Sequence, residues 1–130
     1  MQAQPDTTPS NLLSKPIQHI SVVYLGRQLL IRAENIVCLE ADGNYTHLFT
    51  RDGRQFLVSR TLGLYADHLD NQMFVRIHKS YVINVNFLQS FEFQTSRVIK
   101  LSGGKEVTVS RRRFKELVAQ IMQHKTVALA

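Results

Sequence analysis

Two polar stretches of this chain carry side chains that could bind an anion. His78-Lys79-Ser80 lies between two apolar runs and offers one cation and several hydrogen-bonding groups. Arg111-Arg112-Arg113 places three cations directly after Ser110. Polar groups that rigid apolar segments hold in place are well suited to binding. A surface corner of a β-protein is the simpler interpretation of the first stretch, and both interpretations stay open on these residues alone.

No residue pattern in the sequence indicates catalysis. The five histidines show no H-E-x-x-H pairing, and the nucleophile-elbow, P-loop and dinucleotide-binding fingerprints are missing. Cys38 is the single cysteine, which excludes an intramolecular disulfide and a zinc site built from cysteines. Its apolar neighbours Val37 and Leu39 predict a buried structural thiol. We therefore predict a binding protein that is not an enzyme and that needs no cofactor or metal.

The charge distribution is that of a protein with an anionic partner. The chain has 130 residues and a formal net charge of +6. Residues 1–96 hold equal numbers of acidic and basic side chains, whereas residues 97–125 hold eight Lys or Arg against two Asp or Glu. The whole excess therefore lies in the last segment, as expected for a polyanion-binding protein. A solvated, soluble surface is the competing explanation of the charge alone.

The elements that position these groups are mainly β-strands. Alternating or continuous apolar runs recur from His19 to Val109. Gly26-Arg27 is a plausible first turn, Asp52-Gly53 predicts a two-residue hairpin turn, and Ser102-Gly103-Gly104 predicts a further hairpin. We predict a mainly β fold of about eight to ten short strands, with one short helix and one C-terminal helix.

Both predicted helices begin at a residue that can cap them. Thr61 precedes a short helix over residues 62–69, and Ser110 precedes the C-terminal helix. The apolar face of the C-terminal helix consists of Phe114, Leu117, Val118, Ile121 and Met122. Three arginines in its first turn oppose the helix dipole, which suggests that they serve something outside the fold.

The ends of the chain differ from the domain between them. Residues 1–14 are polar and contain two prolines, which predicts a disordered leader. The predicted domain spans residues 15–124, and residues 125–130 are predicted to be a frayed end. No apolar run approaches the length of a membrane span or a signal peptide, so we expect a cytoplasmic protein without a membrane partner. A helix-turn-helix is not predicted, because the two helices lie far apart in the chain.

Three motifs resemble signatures of the LytTR DNA-binding domain. Residues 36–46, IVCLEADGNYT, resemble its I-x-x-I/L-E-A-x-G-N-Y-T signature. Residues 74–84, FVRIHKSYVIN, resemble F-x-R-x-H-R/K-S-Y/F-I/L-I/V-N, and residues 107–112, VTVSRR, resemble the closing I/V-x-V/I-S-R-R/S. The motifs occur in the family order and cover roughly residues 17–122. The chain is thus similar to the DNA-binding output half of many bacterial response regulators.

The resemblance implies a fold and a set of contact residues. It implies an elongated all-β fold of small antiparallel sheets whose loops, rather than a recognition helix, enter successive major grooves. The contacts would come from the loop after the E-A strand, from the polar hinge and from the S-R junction: Asn44, Tyr45, Thr46, His47, His78, Lys79, Ser80, Arg111 and Arg112. Lys79 replaces an Arg often found there, which keeps the charge but loses the bidentate fork to guanine. Glu40 is expected to be structural, because a carboxylate would repel phosphate.

The resemblance also implies partners. Double-stranded DNA would be bound as paired direct repeats, by two copies that could form a homodimer on DNA. Most family members carry a receiver domain, for which the short leader leaves no room. Control would then come from abundance, or from a separate sensor or inhibitor protein. The alternative is a β-type protein-interaction or regulatory module whose basic C-terminal patch contacts an acidic partner.

Overall fold

A computed structural model of the chain describes residues 15–91 and 97–129, with side chains described for residues 15–90 and 97–122. The predicted leader over residues 1–14 lies outside the described residues. Within the described part, no helix is long and apolar enough to cross a membrane.

The described residues form ten strands and two α-helices. The strands are β1 (His19–Tyr24), β2 (Arg27–Arg32), β3 (Ile36–Asp42), β4 (Tyr45–Thr50), β5 (Gln55–Val58), β6 (Phe74–His78), β7 (Tyr81–Asn84), β8 (Leu88–Phe91), β9 (Val98–Leu101) and β10 (Glu106–Thr108). The helices are α1 (Leu62–His68) and α2 (Arg111–Leu129). The prediction of a mainly β fold with a short and a terminal helix is confirmed. The helical backbone of α2 extends to Leu129, into the segment for which we predict a frayed end.

The strands form three antiparallel sheets. A central sheet has the order β5-β4-β3-β7-β6, β1 and β2 form a separate hairpin, and β10-β9-β8 form a three-stranded sheet. β3 lies in the middle of the central sheet, and its first four residues are buried. This explains why its sequence is continuously apolar over Ile36 to Leu39, where most other strands alternate.

Two cores cover the two faces of the central sheet. On one face, Leu39 and Leu48 pack with residues of the β1–β2 hairpin and of α1. On the other face, Cys38 packs with residues of β9, β10 and α2, among them Leu117. Cys38 is buried, so the predicted buried thiol is confirmed. Burial raises the pKa of this thiol to about 12. The loops at the ends of the sheet therefore project from a frame that is packed on both sides.

The first hairpin turns one residue earlier than the sequence predicts. Tyr24 pairs with Arg27, so the turn is Leu25-Gly26 instead of Gly26-Arg27. Both turn residues have positive φ, 53° at Leu25 and 76° at Gly26. Two positive φ values match the right-handed twist of the strands in a two-residue hairpin. The sequence did not predict this turn, because its first residue is Leu, which rarely adopts positive φ.

The β4–β5 hairpin is present, but its connection has four residues, 51–54, instead of the predicted two. The Thr50 hydroxyl donates to Asp52 Oδ1, and the Arg54 Nε donates to Asp52 Oδ2 at 2.9 Å. The Asp52 carboxylate thus accepts the hydrogen bonds that close the loop, and this longer loop replaces the tight turn that Asp-Gly favours.

Candidate nucleic-acid interface

The three predicted contact segments lie at one end of the central sheet. The Ala41 N–H donates to the Ser80 carbonyl at 2.8 Å, which joins the end of β3 to the β6–β7 turn. The Ser110 N–H donates to the Ile77 carbonyl at 2.9 Å, which joins the start of α2 to the end of β6. We call this the motif end of the sheet, because the fold brings all three sequence motifs together there.

The β3–β4 turn projects beyond the β6–β7 turn at the motif end. Asp42 pairs with Tyr45, so Gly43-Asn44 is a two-residue turn, and Gly43 takes φ 60°. Ala41 lies level with Ser80, so this hairpin extends about 6–7 Å beyond its neighbour. Asn44 is exposed, and Tyr45 is 50% exposed. The turn therefore presents these two side chains ahead of the β6–β7 turn.

The next two residues of β4 are bonded within the protein. Thr46 is 0% exposed, and its hydroxyl donates to the Arg60 carbonyl at 2.7 Å. His47 Nε2 lies 2.9 Å from Asp42 Oδ2, and His47 Nδ1 lies 3.0 Å from Gln55 Nε2. The structure therefore places Thr46 inside the protein and leaves His47 half-buried, with both ring nitrogens bonded to other side chains.

The Arg76 side chain fixes the backbone of the β6–β7 turn. His78 pairs with Tyr81, so Lys79-Ser80 connects the strands, and neither turn residue has positive φ. A tight connection without positive φ is consistent with a hinge that lacks Gly. The Arg76 guanidinium donates to the Lys79 carbonyl at 2.6 Å and to the His78 carbonyl at 3.3 Å. The Lys79 side chain is exposed, and its ammonium has no carboxylate partner in the part of the chain that the structure describes.

His78 is oriented by its own turn. The Ser80 N–H donates to His78 Nδ1 at 3.1 Å, and the His78 and Tyr81 rings lie 5.8 Å apart between centroids. When Nδ1 accepts a hydrogen bond, the proton of the neutral imidazole lies on Nε2. The half-buried His78 ring can therefore offer an Nε2–H donor outside the turn.

Glu40 is bonded on both carboxylate oxygens. The Tyr81 hydroxyl donates to Oε2 at 3.3 Å, and the Lys105 ammonium lies 3.3 Å from Oε1. The same ammonium lies 4.1 Å from the centroid of the Phe49 ring. Burial, and then the nearby Glu40 carboxylate, raise the pKa of Tyr81. These contacts agree with the structural role that we expected for Glu40.

The start of α2 carries two more exposed cations of the motif end, Arg111 and Arg112. The Arg113 N–H donates to the Ser110 hydroxyl at 3.3 Å, so the predicted N-cap is confirmed. Arg111 and Arg112 are exposed, and neither has a carboxylate partner within residues 15–91 and 97–129. Buried Leu117 anchors the helix against the second core. The two arginines are therefore presented by a fixed element.

Arg60 is one further exposed cation at this end, and it belongs to none of the three motifs. β5 runs antiparallel to β4, with Val58 opposite Thr46, so β5 ends beside the β3–β4 turn. Arg60 follows two residues later. The available sequence signal was an Arg directly before the N-cap Thr61, at the end of a strand-like run.

Comparisons with known proteins identify the family. The family model of the LytTr DNA-binding domain matches residues 26–122. The heme-containing CO-sensing transcriptional regulator RcoM 1 of Paraburkholderia xenovorans (strain LB400) is 29% identical over 101 residues, which are 75% of this chain and 38% of that protein. The sensory transduction protein LytT of Bacillus subtilis (strain 168) is 25% identical over 103 residues, which are 77% of this chain and 42% of that protein.

A solved structure shares the fold. The LytTr DNA-binding domain of a putative methyl-accepting/DNA response regulator from Bacillus cereus superposes with a TM-score of 0.72 at 16% identity, over 81% of this chain and 97% of that one. The chain spans about two fifths of the length of the curated relatives it matches. Because the family model covers most of the chain, this protein belongs to the LytTR family of DNA-binding domains.

Proposed function

We propose that the chain binds double-stranded DNA sequence-specifically as a transcriptional regulator, and that the loops of the motif end enter the major groove. The observation that carries the proposal is the surplus of exposed cations at this end. Lys79, Arg111 and Arg112 have no carboxylate partner among the described residues, whereas Glu40 is paired internally. Free cations on a rigid frame are what the phosphate backbone of DNA attracts.

The shape of the motif end suits a groove. The major groove of B-DNA is about 12 Å wide and admits a two-stranded β-ribbon. The β3–β4 hairpin projects ahead of its neighbours, with exposed Asn44 and half-exposed Tyr45 at its tip. An Asn side chain can form two hydrogen bonds to adenine, so Asn44 is the base-reading group of this hairpin.

The other candidate residues divide by what their side chains can reach. Arg111 lies at the capped junction of β10 and α2, where a fixed backbone favours a bidentate contact to guanine. Arg112 and Lys79 contact phosphates, and His78 donates through Nε2. Ser80 fixes the turn through its backbone N–H, which donates to His78 Nδ1. Buried Thr46 and half-buried His47 act through the groups to which they are bonded.

Two copies are expected to bind paired direct repeats on one face of the duplex. Half-sites should then be separated by whole helical turns, about 10 base pairs each. Mobility shifts on duplexes with one and two sites test this arrangement. Two successive shifted species on the two-site probe are expected. A single species with equal affinity on both probes would exclude paired occupancy.

Selection from random-sequence duplexes tests the proposed function itself. The expected result is an enriched motif that the protein binds more tightly than scrambled DNA of the same composition. The alternative, a module whose basic C-terminal patch contacts an acidic protein, predicts retention of DNA by charge without an enriched motif. Selection rounds that yield no motif would overturn the proposal.

A further inference from the structure

Arg60 occupies the outer flank of the motif end. Strand β5 is the edge strand of the central sheet, and Arg60 follows it after Ser59. The opposite flank is formed by β6 and by the start of α2. Four strand spacings separate β5 from β6, a distance of about 19 Å. The two flanks therefore bracket the β3–β4 turn.

The backbone of Arg60 is fixed on both sides. The buried Thr46 hydroxyl donates to the Arg60 carbonyl at 2.7 Å. On the other side, Thr61 caps α1, and its side chain accepts a hydrogen bond from the Leu64 N–H at 3.4 Å. A long side chain on a fixed backbone loses less freedom when it binds than one on a mobile loop. The exposed Arg60 side chain therefore extends from a fixed backbone position.

The guanidinium of Arg60 forms no ion pair with a carboxylate of the described residues. The side chain is exposed, and no carboxylate pairs with it in residues 15–91 and 97–129. Arg54, on the loop that leads into the same strand, pairs with Asp52 at 2.9 Å. An unpaired cation at the end that carries Lys79 and Arg111 adds to the same positive field.

We propose that Arg60 is a phosphate contact on the flank opposite α2, and that Thr46 is the positioning residue that holds it. The proposal rests on the proposed DNA binding and adds a contact to it. Arg60 contacts phosphate and not a base, because it lies on the flank of the β3–β4 hairpin, which occupies the groove. A phosphate contact positions the protein on the duplex without reading sequence. Arg60 thus widens the footprint to both sides of the hairpin.

The test compares Arg60→Gln with Arg51→Gln. Both variants lose one positive charge. Arg51 is also exposed, but it lies on the β4–β5 loop at the opposite end of the sheet, so it serves as the matched control. The probe is a mixed-sequence duplex of about three helical turns, titrated at several salt concentrations. Arg60→Gln should weaken binding several-fold at low salt and reduce the slope of log K against log salt by about one. Arg51→Gln should leave both unchanged. Equal slopes and affinities for the two variants would overturn the proposal.

Thr46 provides an independent readout. Thr46→Val removes the hydroxyl that holds Arg60, and Thr46→Ser keeps it. The valine variant should weaken DNA binding in the presence of Arg60 and add no further loss in the Arg60→Gln background, while the serine variant should bind like the wild type. Circular dichroism confirms that each variant is folded. Additive losses in the double variant would show that Thr46 does not act through Arg60.

The outcomes separate this inference from the proposed function. If the wild-type protein binds no DNA under any salt condition, both fail. If the wild type binds an enriched motif with a steep salt dependence and Arg60→Gln behaves like Arg51→Gln, only the assignment of Arg60 fails.

Discussion

The two ends of the central sheet differ in how their polar groups are satisfied. At the motif end, Lys79 and Arg111 are exposed and have no carboxylate partner in the described part of the chain. At the far end, Asp52 binds Arg54 and closes the β4–β5 loop, and the buried Asn84 amide donates to the Ile36 carbonyl at 2.9 Å. The far end therefore uses Asp52, Arg54 and Asn84 to stabilise the fold, while the motif end leaves Lys79 and Arg111 available to a partner.

The acidic residues sharpen this contrast. The motif end also contains carboxylates, but Asp42 binds His47 at 2.9 Å and Glu40 binds Lys105 at 3.3 Å. Exposed ion pairs contribute little to stability. Here their consequence is that neither Asp42 nor Glu40 forms an ion pair with the exposed cations of the motif end. Counting charges along the sequence does not reveal this, because residues 1–96 are neutral as a set.

Replacing Asn84 should have the largest effect, and only on stability. Asn84 is 0% exposed, and its side chain also accepts a hydrogen bond from the Asn86 N–H at 2.9 Å. Asn84→Ala leaves the buried Ile36 carbonyl and the part-buried Asn86 N–H without these partners and creates a small cavity, which should cost about 2–4 kcal/mol of unfolding free energy. Urea denaturation measures this loss. The folded fraction should bind DNA normally, and an equally large loss of DNA affinity in that fraction would contradict the separation of the two ends.

Arg111→Ala should show the reverse behaviour. It should cost about 1–3 kcal/mol of binding to the selected DNA motif and relax the preference at one base position. Stability should be unchanged or slightly higher, because a cation is removed from a helix N-terminus. Affinities for motif and scrambled duplexes measure the effect.

Arg113→Ala is the matched control for Arg111→Ala. Arg113 lies two residues further into α2 and is half-buried. Its loss should weaken binding to all sequences by a smaller, similar factor. If Arg111→Ala also lowers both affinities by one factor, then Arg111 is an electrostatic anchor and does not read a base.

Asp52 should give the smallest effect. The Thr50 hydroxyl, followed by Arg54, holds the pKa of Asp52 below its ordinary value. A carboxyl whose pKa is lower in the folded state stabilises the protein above its unfolded pKa, and this contribution is lost as the pH falls through the folded pKa. Asp52→Asn should therefore lower the melting temperature slightly at neutral pH and have no effect at a pH below the folded pKa of Asp52. DNA affinity at neutral pH should not change.

Sequence patterns predicted the local features of this fold well. The caps Thr61 and Ser110, the apolar β3 run and the strand-rich architecture each depend on neighbouring residues, and the structure has them. The three motifs also predicted the family.

Features that depend on distant partners were not predictable in this way. Thr46 is a polar residue in a strand, and its burial depends on the Arg60 carbonyl 14 residues away. The four-residue β4–β5 loop depends on side-chain bonds to Asp52, which outweigh the preference of Asp-Gly for a tight turn. Arg60 itself belongs to none of the three motifs, and only the antiparallel pairing of β4 and β5 brings it to the motif end.

The salt dependence of DNA affinity tests the central claim most directly. If the unpaired cations of the motif end contact phosphates, about five such contacts give a slope of log K against log salt near −4 to −5. The measurement is a titration of the wild-type protein with the selected duplex between low and physiological salt. A slope in this range is the predicted result. An affinity that stays constant over the same salt range would contradict the claim that these cations bind DNA.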